Sequence, residues 1–340
     1  MVELSDLGEF GLIERLAEIL RGPVAGRSPI SSDLTLGIGD DAAVWTPAAG
    51  TVSVATADAL VEGIHFDLRF TSWYDLGWKA LAVNVSDAAA MGARPRYALV
   101  TLGLPSGGRL SDLENLYRGM AEHCDRFGMR IVGGDVVSSP TFFISVALYA
   151  EGGARLLRRD AARAGDVVAV TGTLGDSAAG LRLLQEARAN DGEDAAMLVR
   201  AHLRPLPRVA EAGALVEQGV GCGMDLSDGL LGDAKRLARA SGVRVEFHLA
   251  SLPLSEPLRR MFGPLAAEIA LAGGEDYELL VCAPPDVMAR GADAVARLQD
   301  TRLTVVGRIL ASALDAEPVT VTDETGKEFQ PRLRSWEHGL

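Results

Sequence analysis

Carboxylates recur along this 340-residue chain beside glycines and short apolar runs, and that recurrence is the first sign of chemistry. In residues 31–66, SSDLTLGIGDDAAVWTPAAGTVSVATADALVEGIHF, Asp40 and Asp41 follow the apolar run Leu34 to Ile38, and Asp58 follows Val52 to Thr56. Both runs read as short strands, so these carboxylates are expected at strand exits, with His65 in the same stretch. Oxygen ligands collected in this way suit a hard cation such as Mg²⁺, which binds one or two carboxylates and keeps water and phosphate in the rest of its shell. Gly-Asp-Asp and Ala-Asp are also ordinary turn chemistry, because Asp accepts hydrogen bonds from nearby backbone N–H groups.

Repetition favours ligation. Asn84 and Asp87 stand three apart in WYDLGWKALAVNVSDAAAM, on one face of an expected helix, where a carboxylate in an Ala-rich half either caps something or binds something. Asp135 follows Arg130 to Gly133 in GGDVVSS, again at an expected strand exit. Asp225, Ser227 and Asp228 in DLSDGL stand at the head of an expected helix, where Asp228 alone could be only an N-cap. Glu275-Asp276 follow two glycines in AGGEDYELLVCAPP. The segment VTGTLGDSAAG runs strand, glycine turn, helix start, a geometry that can bind phosphate through unpaired N–H groups. It is equally an ordinary βα connection capped by Asp176, and it lacks the Gly-Lys-Ser/Thr of a Walker A motif.

The elements that must position these groups alternate. Helices are expected over Glu9 to Leu20, Trp73 to Met91, Ser111 to Phe127, Asp176 to Ala189, Leu230 to Ala240 and Val287 to Leu298, with a helical stretch from Asp191 to Gln218 broken at RPLPR. Ser111 with Glu114 reads as a capping box, and Gly128 as a helix stop. Strands are expected at Tyr97 to Leu104, Arg130 to Gly133, Thr141 to Ala150, Val167 to Thr171, Gly221 to Leu226, Val243 to Leu249, Tyr277 to Cys282 and Leu303 to Val306. The length exceeds the roughly 250–300 residues at which single cores stop growing, so two domains are expected. A boundary at the glycine pair Gly152-Gly153 divides the chain into 1–152, an N-terminal mixed sheet with helices, and 153–340, a C-terminal α/β domain.

Composition limits the partners. Hydrophobic residues make up 48% and charged residues 23%, enough apolar material for real cores, while the net charge of −13 comes with no basic run. That argues against nucleic acid and anionic membranes, and requires a phosphate-binding protein to bring in cations. No segment approaches the about 20 apolar residues of a membrane span and the N-terminal residues are acidic, so a cytoplasmic protein is expected. Cys124, Cys222 and Cys282 lack CxxC spacing, sit in apolar segments and read as core residues.

Taken together, GEFGLI, GIGDDAAV, ADALVEGIHF, KALAVNVSDAAAMGA, VGGDVV, VTGTLGDSAAG, HLRPLPR, DLSDGL and GGEDYEL resemble, in order and spacing, the motifs of the thiamine-monophosphate kinase family within the aminoimidazole-ribonucleotide synthetase superfamily. The resemblance implies a two-domain α+β/α/β fold whose N-terminal sheet dimerises, and transfer of the γ-phosphoryl group of ATP to thiamine monophosphate with several Mg²⁺ ions. It implies Asp41, Thr56, Asp58, Asp87, Asp135, Asp225 and Asp228 as metal ligands. Gly134, Asp135, Arg159, Ser227 and Tyr117 are implied at ATP, and His65, Glu275 and Trp336 at the thiamine phosphate. The family commonly has two consecutive hydroxyl residues before the aspartate, where this chain has Thr56-Ala57-Asp58. Phosphoryl transfer to an acceptor that is already anionic requires no general base, and no kinase-type catalytic motif occurs. The alternatives are another ATP-dependent synthetase of the superfamily, whose phospho-selenium branch uses an N-terminal Cys or selenocysteine absent before Cys124, or a non-catalytic Mg-ATP-binding protein.

Overall fold

Two separate sheets, each with its own helices, carry the candidate residues. The structure, a computed structural model, describes residues 8–21, 33–39, 42–298, 301–313 and 316–333. Two candidate residues, Asp41 and Trp336, lie outside the described residues. The chain divides into two compact units, one within Met1–Ala88 and Arg94–Ala154, the other within Ala89–Ala93 and Arg155–Leu340.

The first unit runs α1 (Gly8–Arg21), β1 (Leu34–Leu36), β2 (Val44–Trp45), β3 (Val52–Val61), α2 (Trp73–Ala90, its last two residues falling in the second unit), β4 (Arg94–Leu104), α3 (Leu110–Phe127), β5 (Arg130–Ser138) and β6 (Phe143–Gly152). Its main sheet has the order β3-β6-β4-β5, antiparallel except for the parallel pair β4–β5. In β6, buried residues alternate with half-buried ones, as a strand with one face on a core requires. In α3, Leu113, Leu116, Met120 and Cys124 are buried, and Gly128 ends the helix in the left-handed region with its N–H donating to the Cys124 carbonyl.

Three local expectations change. The strand expected to stop at Thr56 continues to Val61, because ADALV keeps the two-residue period and pairs on, Ala57 with Ala147 through Val61 with Phe143. Likewise β5 continues past Gly133 to Ser138, so Asp58 and Asp135 lie inside strands and not at their exits. The capping box does not form: Arg109 occupies the N-cap without a side-chain cap, while Glu114 accepts from Arg15 at 2.7 Å and from Arg118 at 3.2 Å.

The second unit runs β7 (Val167–Thr171), α4 (Asp176–Gln185), α5 (Glu193–Leu203), α6 (Val209–Glu217), β8 (Cys222–Asp225), α7 (Leu230–Ser241), β9 (Val243–His248), α8 (Glu256–Phe262), α9 (Ala266–Ala272), β10 (Leu279–Ala283), α10 (Pro285–Ala296), β11 (Leu303–Ala311) and β12 (Val319–Thr322). Its strand order is β12-β9-β11-β7-β10-β8. In β7, Val168 and Val170 join Leu230, Ala234 and Leu237 of α7, while Ala169 joins Leu215, Met288 and Val295 of α6 and α10. A sheet covered on both faces needs uninterrupted apolar strands, which is why VVAVT and LLVCA lack alternation. The seven-residue α8 and α9 escape the sequence reading because Gly263-Pro264 divide them into pieces of two turns, too short to show a period. Strand β10 starts at Leu279 rather than Tyr277, since Glu275 and Tyr277 adopt φ of 66° and 52°, which no strand residue takes.

Candidate active site

In the first unit, β3 and α2 bring three oxygen-bearing side chains together. Strand alternation puts Thr56 and Asp58 on one face of β3, and Ala57 on the other, where it is exposed. A hydroxyl at position 57 would therefore point away from its neighbours, so Ala57 leaves the Thr56–Asp58 pair intact. Asn84 and Asp87, one turn apart on α2, face this pair: Asn84 Oδ1 accepts the Asp58 backbone N–H at 3.1 Å. Its Nδ2 donates to the Ala80 carbonyl at 3.1 Å, which fixes the amide orientation. The bond also satisfies a donor on an edge strand. Thr56 Oγ1 donates to Asp87 Oδ2 at 2.5 Å.

Asp58 reaches the Asp87 carboxylate as well, and its own carboxyl is pushed up to about 6, first by burial and then by the charge of Asp87. Two carboxylates and a hydroxyl form a hard oxygen donor set, which fits Mg²⁺ together with water and phosphate. Among the described residues, no group of three or more His, Cys, Asp or Glu side chains converges closely enough to hold a metal by itself. Asp135 stands apart from this pair. It lies on β5, three strand spacings from β3 in the sheet order, or about 14 Å. Asp135 is exposed and accepts the Val136 N–H at 2.8 Å.

The other first-unit residues have distinct settings. Gly134 has φ of 156°, and a Cβ there would fall 1.9 Å from the Val100 carbonyl, so glycine is required by strand packing alone. His65 closes a turn in which its Nδ1 accepts the Val61 N–H at 3.1 Å. An acceptor Nδ1 leaves the proton of the neutral ring on Nε2, a donor suited to an anion. Tyr117 is buried on α3, and burial pushes its hydroxyl pKa up.

In the second unit, β8 ends at Asp225, a buried residue, and the chain turns through Ser227 and Asp228 into α7. Asp228 is not the N-cap; Gly229 is. Sequence reasoning missed the residue that shapes this turn. Asp233, fully buried one turn into α7, accepts the backbone N–H groups of Ser227 and Asp228, each at 3.0 Å. Burial is the main reason its carboxyl is pushed up to about 6. Arg236 donates to Asp233 at 2.6 Å and pairs with Asp228 at 2.5 Å. The only sequence signal was an acidic residue on the apolar side of an amphipathic helix. Arg159 is exposed, with its carbonyl accepting Ser241 Oγ at 2.9 Å.

The GGEDYEL segment packs on this turn, Glu275 N–H donating to the Ser227 carbonyl at 2.7 Å and Tyr277 N–H to the Leu226 carbonyl at 2.9 Å. The start of α4, a candidate phosphate cradle, is held instead by the protein: the Gly175 and Ser177 N–H groups donate to Asp276 at 2.8 and 3.4 Å. The N-cap is Gly175, and Asp176 turns to Thr173 and Ser255, accepting their hydroxyls at 2.7 and 2.6 Å. Burial pushes the Asp276 carboxyl well up. Behind it, Glu278 takes a bidentate pair from Arg208 at 2.7 and 2.5 Å and the Thr171 hydroxyl at 2.6 Å.

Comparison with known proteins accounts for both units. Residues 39–151 match the family described as AIR synthase related protein, N-terminal domain, and residues 163–316 match AIR synthase related protein, C-terminal domain. The chain is 36% identical over 340 residues to thiamine-monophosphate kinase of Aquifex aeolicus (strain VF5), covering 99% of this chain and 100% of the relative. It is 38% identical to the thiamine-monophosphate kinase of Stenotrophomonas maltophilia K279a, whose crystal structure aligns with a TM-score of 0.80 over 93% of this chain and 96% of that one. The structure of AaThiL complexed with AMPPCP and TMP is 35% identical, with a TM-score of 0.75 and 99% of each chain covered. Among the described residues, no helix is long and apolar enough to cross a membrane.

Proposed function

We infer the function from one premise: this chain belongs to the thiamine-monophosphate kinase family, within the AIR synthase related proteins. It is an ATP-dependent phosphotransferase that converts thiamine monophosphate to thiamine diphosphate. The observation that carries the reading is similarity over 99% of the chain to a structure that holds AMPPCP and TMP. In the reaction, the bond from the γ-phosphorus to its bridging oxygen breaks, and a new bond forms to an oxygen of the acceptor phosphate. The electron pair of the broken bond leaves with ADP. The acceptor oxygen is already anionic, so no side chain has to remove a proton.

The chain's task is to hold anions together. Two unit charges 4 Å apart repel by about 4 kcal/mol at an effective dielectric of 20. Thr56, Asp58 and Asp87 would hold Mg²⁺ on one unit, with Asp41 and Asp135 as further ligands there, and Asp225 and Asp228 would be ligands on the other unit. Bound Mg²⁺ supplies the positive charge that offsets phosphates and carboxylates. Asp228, paired with Arg236 here, would turn its carboxylate to the ion, while Asp233 keeps the Ser227 and Asp228 N–H groups oriented. Arg159, an exposed guanidinium, binds nucleotide phosphate. His65 offers Nε2–H to the thiamine phosphate, and Glu275 and Trp336 contact the same substrate. The enzyme works as a cytoplasmic homodimer with 1–152 and 153–340 as its domains.

The test is direct. Purified protein is incubated with ATP, Mg²⁺ and thiamine monophosphate, and the products are separated by chromatography. Equal yields of thiamine diphosphate and ADP, absent with thiamine as acceptor, are expected. ADP without thiamine diphosphate would overturn the acceptor assignment.

A further inference from the structure

The carboxylate of Glu275 has a built partner on a different element. His202, on the last turn of α5, is buried, and its Nδ1 lies 3.3 Å from Glu275 Oε2. Ser177 Oγ, buried in the first turn of α4, lies 3.2 Å from the same nitrogen. A carboxylate can only accept, so the Nδ1 facing it carries the proton, and Ser177 Oγ is a second acceptor for that N–H. The backbone leaves Glu275 little choice of direction. Its φ of 66° is left-handed, and its N–H is bonded to Ser227. Side-chain exposure is 27% for Glu275 against 5% for His202, so the carboxylate reaches solvent from a buried anchor.

The anchor depends on close helix packing. A Cβ on Gly180 of α4 would fall 2.1 Å from the Leu198 carbonyl of α5, so only glycine lets the helices approach and bring His202 beside Ser177. The HLRPLPR motif places His202 at the end of this helix, and neither the nucleotide nor the metal assignments use it. We propose that His202 is a positioning residue for thiamine monophosphate: Nδ1–H holds the Glu275 carboxylate in the orientation that receives the substrate, and α4 braces the ring through Ser177. The inference rests on the reading that Glu275 contacts that substrate.

Steady-state kinetics on the full-length enzyme separate the two. His202→Leu removes the donor, His202→Asn keeps an N–H near the Nδ1 position, and His202→Gln keeps a buried amide but carries it past that position. A bond to a charged group of this kind is worth about tenfold in affinity. His202→Leu and His202→Gln are therefore expected to raise KM for thiamine monophosphate about tenfold while KM for ATP stays within about twofold. His202→Asn restores most of the loss, and His202→Leu adds nothing in a Glu275→Gln background. Normal KM in His202→Leu with a raised KM in Glu275→Gln overturns the positioning role and leaves the Glu275 reading standing. Normal KM in Glu275→Gln overturns both. Should His202→Leu fail to fold by thermal melting, the Asn and Gln pair decides alone, equal KM values for the two overturning the proposal.

Discussion

Asp58 on β3 and Asp87 on α2 face each other across a Thr56 hydroxyl in the first unit, whereas Glu278, just before β10 in the second, faces Arg208. All are acidic groups beside a sheet, yet the first pair has only a hydroxyl donor between them and Glu278 has an arginine. Burial and like charge raise the Asp58 carboxyl to about 6, a cost that an arginine partner would have removed. Glu278, which the chain neutralises itself, holds the fold, and Asp58 and Asp87, which the chain leaves facing each other, are suited to a cation from outside.

The comparison can be broken most strongly at Arg208. Arg208→Met leaves the buried Glu278 carboxylate without its bidentate partner and is expected to cost about 3–5 kcal/mol in chemical unfolding. A loss below about 1 kcal/mol would place Glu278 outside the scaffold. Asp87→Asn should act oppositely, lowering turnover by about 100-fold or more with the melting temperature held or raised, because it removes a ligand and relieves Asp58. Wild-type turnover in that variant would remove Asp87 from the site.

A buried base in the first unit gives a third case. His123 packs edge-on to Trp78 and against Phe127, and neither ring nitrogen has a hydrogen-bond partner among the described residues. Burial, with the nearby charge of Arg126, pushes its pKa down to about 3 from the ordinary 6.5. The folded-state value is depressed, so this stability is present above pH 6.5 and lost as pH falls toward 3. At pH 5 the loss is about 2 kcal/mol. His123→Phe should flatten the acid limb of stability by that amount; an unchanged limb would show that the ring is not held neutral. The smallest effect is the metal itself. Mg²⁺ at ten times its Kd, without nucleotide, should stabilise wild type by about 1.4 kcal/mol and Asp87→Asn by much less. Equal shifts in both proteins would move the ion away from β3 and α2.

How much of this was legible in the sequence depended on range. The amphipathic α3, its stop at Gly128 and the βα alternation of the second unit followed from periodicity, because they depend on residues within a few turns of one another. Asn84 and Asp87 were correctly placed on one face of α2 for the same reason. Strand ends were misjudged at Thr56 and Gly133, since whether a polar residue continues a strand is decided by its pairing partner, and the partners are far along the chain. The Ser111–Glu114 capping box and the phosphate cradle at α4 were sound local patterns overruled by distant groups: Arg15 takes Glu114, and Asp276 takes the α4 N–H groups.

Residue types and their order determined the chemistry by themselves. Nine motifs in register specified the family, and recurring carboxylates in a chain of net charge −13 specified cation-assisted handling of phosphate. Only the tertiary structure decided which acids are partnered. Coulomb attraction and desolvation depend on distance and burial, and 70 residues separate Arg208 from Glu278 while 31 separate Thr56 from Asp87. The same rule hid His202, whose partners Ser177 and Glu275 reach it only because two helices close on a glycine and a loop turns through a left-handed residue.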